Sequence, residues 1–221
     1  LQTRLDDSSL QTLTERLLFR LMRLIYQISL FFYAIFIRIA SPFNPKAKAW
    51  INGRKNKTWK NLDTGGKEVI WFHCASLGEF DIALPLMEKW KVIFPNDFIL
   101  VTFFSPSGME NYSKRKHAAD FVTYIPLDTP SNAQEFIANI KPKTVFFVKY
   151  EFWAFHLFEA KKRGAKIFSV NTLFRKDQVY FKKYGGFYRK ILCVFDHFFV
   201  QNENSKHLLQ SFQIQNSTVT G

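Results

Sequence analysis

A chain of 221 residues that is 47% hydrophobic and 18% aromatic, with 26 phenylalanines, can bury a substantial core, which excludes disorder. Its formal charge of +13 asks for an anionic partner: nucleic acid, an anionic membrane surface or a phosphorylated substrate. Two cysteines at unrelated positions, Cys74 and Cys193, exclude a disulfide framework and a thiolate metal site and fit a reduced, cytoplasmic domain.

Residues 1–21 are polar and differ in character from the apolar segment after them. With Met22 read as the native start they are an upstream or non-native extension, and no function is built on them. Leu24–Ile37 is a nearly unbroken apolar run bounded by Arg20, Arg23 and Arg38. Fourteen helical residues reach about 21 Å, short of a hydrocarbon core of about 30 Å. That length suits a buried core helix, an interfacial anchor or a span stretched by snorkelling arginines. Seven Lys/Arg and no acid occupy the stretch from Arg38 to Lys60, which favours a membrane-anchor helix over residues 22–40, held at the cytoplasmic face. Residues 41–66 read as a basic linker, polar from Asn52 to Gly66.

From residue 67 onward the pattern alternates. Strand-like runs fall at Val69–His73, Phe98–Phe103, Phe121–Ile125, Thr144–Val148, Lys166–Val170 and Phe195–Val200. Helical periodicity fills the gaps at Glu79–Phe94, Gly108–Lys116, Ser131–Ile140, Phe152–Arg163, Val179–Val194 and Glu203–Phe212. This predicts an α/β domain over 67–221, a Rossmann-like parallel sheet with helices on both faces. The final Thr218–Gly221 reads as a strand or crossover cut short, with a second domain expected beyond it.

Ligands of such sheets bind beyond the carboxyl ends of the strands. Six stretches meet that condition: His73–Glu79, Ser105–Gly108, Pro126–Pro130, Lys149–Trp153, Asn171–Arg175 and Gln201–Asn204. The first holds the most chemistry. Cys74-Ala75-Ser76-Leu77-Gly78 is one residue short of a nucleophile elbow, because Cys74 stands where the strained turn needs glycine. His73 and Cys74 are strand-end neighbours that point to opposite faces, so they make a poor thiolate pair. Glu79 opens the next helix, where free N–H groups stabilise a carboxylate. Two readings stay open there: Ser76-x-x-Glu79 is a capping box, and an ionised carboxylate on a binding rim is also what a general base for a sugar hydroxyl requires.

Taken together the rim segments resemble the N-terminal half of the bacterial 3-deoxy-D-manno-octulosonic acid (Kdo) transferases. The family's H-x-[VA]-S-[VL]-G-E is similar to His73-Cys74-Ala75-Ser76-Leu77-Gly78-Glu79. Its T-x-x-[ST]-P-[ST]-G is similar to Thr102–Gly108, its P-x-D-x-P to Pro126–Pro130, and its closing segments to Gln201–Glu203 and Val219–Gly221. The resemblance implies the acceptor half of a glycosyltransferase type B fold, with the donor domain absent and the fragment inactive alone. It implies inverting transfer of Kdo from CMP-Kdo to a lipid A precursor at the cytoplasmic face of the inner membrane, in lipopolysaccharide core biosynthesis. Glu79 falls on the base position. Ser76, Gly78, Ser105, Ser107, Gly108, Glu151 and Arg175 fall on the substrate-binding rim. No cofactor and no divalent metal are implied, and the partners are the phosphorylated glycolipid, CMP-Kdo and an anionic membrane surface, with no nucleic acid. The sequence departs from the family's E-x-E-x-W-P, which reads Lys149-Tyr150-Glu151-Phe152-Trp153-Ala154. Lys149 becomes a candidate for supporting negative charge on the Kdo carboxylate or a phosphate, or else an ion-pair partner near Glu151. The alternatives are another membrane-bound lipid glycosyltransferase of the same fold and a membrane-anchored serine hydrolase using Ser76.

Overall fold

The computed structural model describes residues 7–221, with side chains from Thr14 onward except Glu15. Seven strands form one sheet: β1 (Val69–Cys74), β2 (Phe98–Phe103), β3 (Phe121–Tyr124), β4 (Pro142–Val148), β5 (Lys166–Thr172), β6 (His197–Val200) and β7 (Ser217–Val219). Their order is β3-β2-β1-β4-β5-β6-β7, and every neighbouring pair is parallel. All six expected strands are present, and residues 217–219 add the seventh. The sequence Val-Ile-Trp-Phe-His-Cys makes β1 a central strand because both of its faces are buried.

Alternation along β1 divides the core in two. Trp71 faces Phe136 and Phe147 on one side of the sheet, while Phe72 and Cys74 join Phe80, Phe103 and Phe146 on the other. Register carries the second face across three strands: Phe72, Phe146 and Phe168 sit opposite one another and stack at 4.8 and 5.4 Å.

The helices are α1 (Asp7–Ala40), α2 (Pro45–Lys55), α3 (Leu77–Ile93), α4 (Pro106–Asn111), α5 (Pro130–Ile140), α6 (Ala154–Lys162), α7 (Gly186–Leu192) and α8 (Glu203–Gln210). The helix expected over 179–194 is shorter because Gly185 breaks it. A Cβ there would come within 2.0 Å of the Val179 carbonyl, so the chain makes a 3-10 turn at Val179–Phe181 and restarts as α7.

The stretch expected as a basic linker is folded. Asn44 caps α2 by accepting from the Lys46 and Ala47 N–H groups at 2.9 and 3.2 Å, Pro45 sits at the first helical position, and Trp50 and Trp59 are buried. Its charge hid these anchors. Gly53 lets α2 lie flat on the Tyr124 ring, where a Cβ would come to 2.0 Å.

The anchor segment and the described residues before it, from Asp7, form one continuous helix, α1. It carries two apolar stripes on opposite faces. Phe19, Met22, Tyr26, Leu30 and Tyr33 recur at helical spacing and pack on the domain. Tyr26 lies among Phe155, Phe187 and Tyr188, and its hydroxyl donates to the buried Asp128 at 2.6 Å. On the other face Leu17, Leu21, Leu24, Ile28 and Phe31 are 44–63% exposed. By length and composition Arg16–Ala40 could cross a membrane.

Candidate active site

The chain winds outward from β1 to β3 and returns to β4 beside β1, so the topological switch point lies between β1 and β4. The loops leaving those two strands carry the site. After β1 the backbone turns at Ser76 (φ −141°), the N-cap of α3, and Glu79 is the third residue of that helix. The capping box is formed: the Ser76 N–H donates to Glu79 Oε2 at 2.9 Å, and the Ser76 hydroxyl donates to the same oxygen. The other oxygen, Oε1, faces across the switch point to Lys149 Nζ at 3.2 Å. The two readings of Glu79 therefore use different atoms. One oxygen closes the helix, and the other lies on the rim.

Lys149 comes directly after β4 with φ +63°, a left-handed conformation that costs a non-glycine residue about 1–3 kcal/mol. Strand β5 holds it there. The Lys149 N–H donates to the Val170 carbonyl at 2.8 Å, and its own carbonyl accepts from Thr172 Oγ1 at 3.1 Å and Ser169 Oγ at 3.3 Å. The Lys149 side chain pairs with Glu79 rather than with Glu151, two residues on.

Partial burial of Glu79 favours the protonated carboxyl. The Ser76 and Lys149 hydrogen bonds, with the Lys149 charge, outweigh it and hold the group below the usual carboxylate range. Glu151, two residues past Lys149, goes the other way: crowding by the surrounding protein and then the Glu79 charge push it up, although the residue is exposed.

His73 and Trp153 hold the two loops together. The Trp153 indole, which can only donate, bonds His73 Nε2 at 2.9 Å, so Nδ1 carries the proton and donates to Thr102 Oγ1 at 2.9 Å. Thr102 also accepts from Trp71 Nε1 at 2.8 Å. Burial, with charge from His156 and Arg54, lowers His73 to about 3, so the ring is neutral and structural. The Trp153 ring continues outward onto Phe104 at 4.6 Å. His73 reads in the sequence only as a poor thiolate partner for Cys74, and Trp153 is not expected as a site residue. Their signal was that both sit inside the two motif stretches that the fold makes adjacent.

Arg54, on α2, was also missed. Its guanidinium lies over the Trp50, Tyr124 and Phe104 rings at 3.9, 4.7 and 4.9 Å. It donates to the carbonyls of Phe104, Ile125 and Trp50 at 2.7, 3.0 and 3.2 Å. Burial lowers it to about 9, so it stays charged at neutral pH.

The remaining expected rim residues spread along the sheet edge. Gly78 is exposed beside Ser76. Ser105 caps α4, its Oγ accepting from the Ser107 N–H at 3.3 Å and lying 3.0 Å from Ser107 Oγ. The Ser105 N–H reaches the Ala75 carbonyl at 2.8 Å, which ties this loop to β1. Gly108 is buried, and a Cβ there would sit 2.1 Å from the Phe103 ring, so its absence of a side chain serves packing. Arg175 lies beyond β5 and is engaged locally, its N–H donating to Gln178 Oε1 at 3.0 Å and its guanidinium 3.8 Å from Asp177. Thus Ser76, Glu79 and Lys149 converge, while Ser105, Ser107 and Arg175 flank them.

Among the described residues no imidazole bonds Ser76. His73 is engaged at both nitrogens, and Asp196 lies just before β6, bonded to the Ile167 N–H and Lys161 at 2.8 Å each, on the opposite edge of the sheet. Cys74 is fully buried, and burial together with the Glu79 charge pushes its thiol well up, so no thiolate is available.

A profile of the family described as 3-deoxy-D-manno-octulosonic-acid transferase (kdotransferase) matches residues 48–221. The chain belongs to the Kdo transferase family. Among curated relatives it is similar to a bifunctional glycosyltransferase/methyltransferase of Fusobacterium nucleatum, 29% identical over 184 residues, covering 80% of this chain and 28% of that protein. It is also similar to the 3-deoxy-D-manno-octulosonic acid transferases of Chlamydia muridarum, 34% identical over 110 residues (48% of this chain, 25% of that protein), and Aquifex aeolicus, 36% over 87 residues (39% and 24%). The chain thus spans about a quarter of these relatives' length. A crystal structure of UDP-N-acetylglucosamine 2-epimerase shares the fold, with a TM-score of 0.50 at 18% identity, over 70% of this chain and 46% of that one. The architecture is the Rossmann-like N-terminal half of the glycosyltransferase type B fold.

Proposed function

We propose that the chain is the acceptor-binding half of an inverting glycosyltransferase that moves Kdo from CMP-Kdo to a lipid A precursor. The observation that carries this reading is the Glu79 carboxylate at the β1/β4 switch point, held ionised with one oxygen on the rim. Glu79 Oε1 takes the proton of a glucosamine hydroxyl as that oxygen forms a bond to the anomeric carbon of Kdo from the opposite side to CMP. The bond to CMP breaks, and CMP leaves as a phosphate monoester. Negative charge builds on that phosphate as it departs with the bonding pair, and cationic groups aimed at it stabilise it. Lys149 shifts from Glu79 to the negative charge of the incoming Kdo carboxylate or a phosphate, which frees Oε1 at the moment the base is needed. Ser76 keeps Oε2 fixed meanwhile. The nucleotide-sugar is bound mainly by a second domain of the longer enzyme.

The reading also accounts for α1. A helix whose middle is bonded to the domain through Tyr26 and Asp128 lies along the protein surface, so its exposed apolar stripe enters a bilayer from the side, as an in-plane anchor on the cytoplasmic face of the inner membrane. The lipid acceptor keeps its chains in that bilayer while its sugar reaches the rim. The basic stretch from Arg38 to Lys60 then faces anionic lipid, and nucleic acid has no part.

Two measurements test this. Full-length enzyme with CMP-Kdo and tetra-acylated lipid A precursor is expected to release CMP and add the mass of Kdo to the lipid. Turnover only with another sugar nucleotide or another lipid acceptor would move the chain to a different membrane glycosyltransferase, and labelling of Ser76 by a fluorophosphonate would revive the hydrolase. For Lys149, replacement by alanine removes two of the influences that lower Glu79, so its carboxyl rises. Because the ionised form is the active base, the acidic limb of the kcat/KM profile should move to higher pH. An unmoved limb would separate Lys149 from the base.

A further inference from the structure

A cavity of about 360 Å³ opens between α1, α2 and the end of β3, lined by Arg38, Arg54, Lys55 and Lys57 together with Trp50 and Tyr124. No acidic residue lines it. Lys57 is neutralised by Glu135 at 2.7 Å, but among the described residues Arg38, Arg54 and Lys55 reach no carboxylate. Arg54 is the unusual member. It is a largely buried guanidinium whose acceptors among the described residues are three carbonyls, which leaves two of its five N–H groups for something else. A buried cation without a counter-ion is costly unless an anion completes it, and a phosphate matches the guanidinium fork. The wall formed by Ala34 and Arg38 belongs to α1, where the exposed Phe31 shares their side of the helix at i, i+3 and i+7 spacing. The cavity therefore places phosphate-binding chemistry next to an apolar surface.

We propose that this cavity binds the phosphate group of a phosphorylated lipid, with Arg54 at its floor, Arg38 and Lys55 at its mouth, and the lipid chains beside α1. The inference rests on the reading that α1 lies in a bilayer, and it adds a second contact to it, distinct from the base. Two lipids carry this chemistry: the phosphorylated glycolipid acceptor and an anionic phospholipid of the bilayer.

The test is vesicle co-sedimentation of this chain, which involves no turnover. Three vesicle types are compared: phosphatidylcholine alone, with phosphatidic acid added, and with bisphosphorylated lipid A precursor added. The double variant Arg38→Gln/Lys55→Gln spares the buried Arg54, and Lys89→Gln/Lys116→Gln, away from the cavity, removes the same charge as a control. Wild type and both variants should bind phosphatidylcholine alike. On phosphate-bearing vesicles the cavity variant should bind about tenfold more weakly or worse, at roughly one surface charge's worth of attraction per residue, and the control should stay within about twofold. Loss on both phosphate lipids assigns the site to phosphate monoesters in general, and loss only on the glycolipid vesicles assigns it to the acceptor. Equal loss in the control means diffuse charge attraction and overturns the proposal, as does no loss in the cavity variant. Free phosphate that competes the wild type off no better than chloride at equal ionic strength also overturns a phosphate-specific site. Kdo transfer without cavity-dependent binding would sink this inference alone, and cavity-dependent binding without transfer would sink only the function proposed above.

Discussion

Full-length enzyme carrying Glu79→Gln is expected to lose about 10²–10⁴-fold in its single-turnover rate of transfer, with its melting temperature nearly unchanged. Glutamine keeps the length and an oxygen acceptor for the Ser76 N–H, and it is accepted at this position of a capping box, so α3 keeps its start. What it lacks is the ability to take a proton. The lost pair with Lys149 is cheap, because that lysine is 34% exposed and pairs so placed contribute about 0–1 kcal/mol. Alanine would abolish transfer too, but it would also remove the cap, at about 0.5–2 kcal/mol, and blur the result. A Gln variant that releases CMP at close to the wild-type rate would mean that another group accepts the proton.

The largest structural effect is expected at Asp128. Its fully buried carboxylate accepts from the Tyr26 hydroxyl at 2.6 Å, the Phe155 and His156 N–H groups at 3.0 and 2.9 Å, and His156 Nδ1 at 2.5 Å. Two of these are free donors at the start of α6, so Asp128 caps that helix from a neighbouring loop while holding α1 in place. Asp128→Ala leaves four donors unmatched, three of them buried, a loss of about 3–5 kcal/mol, against a total stability of about 5–15 kcal/mol for a typical domain. Urea unfolding should show it as a lower midpoint. Tyr26→Phe removes one donor from a charged acceptor and should cost about 1.5–3 kcal/mol. Because both changes break the same bond, the double variant should lose less than the sum, and strict additivity would show that Tyr26 and Asp128 act independently.

The sheet was legible because each strand is a short apolar run between turn residues, with β1 nearly continuous in Val, Ile, Trp and Phe. The segment over 45–61 was not. Its lysines and arginines mask a helix held by two buried tryptophans and an Asn-Pro start, and charge says nothing about which aromatic faces inward. Glu79 could be singled out from its place after Gly78, and the expected capping box is formed through one oxygen while the other faces Lys149. Its pairing with Lys149 could not be read, since residues 70 apart in sequence meet only because β4 returns beside β1. The same adjacency hid the His73–Trp153 bond. Asp128 lay in a recognised rim stretch, yet its four donors come from other parts of the chain, and only tertiary structure counts them.

A body hung from a point tumbles, whereas one clamped along a line keeps its heading. Fastened to the domain from Phe19 to Tyr33, the long first helix acts as a keel: in the in-plane seating proposed above it would fix the height and tilt at which the crevice meets a bilayer. The search for substrate would then reduce to sliding in two dimensions, with rotation already settled.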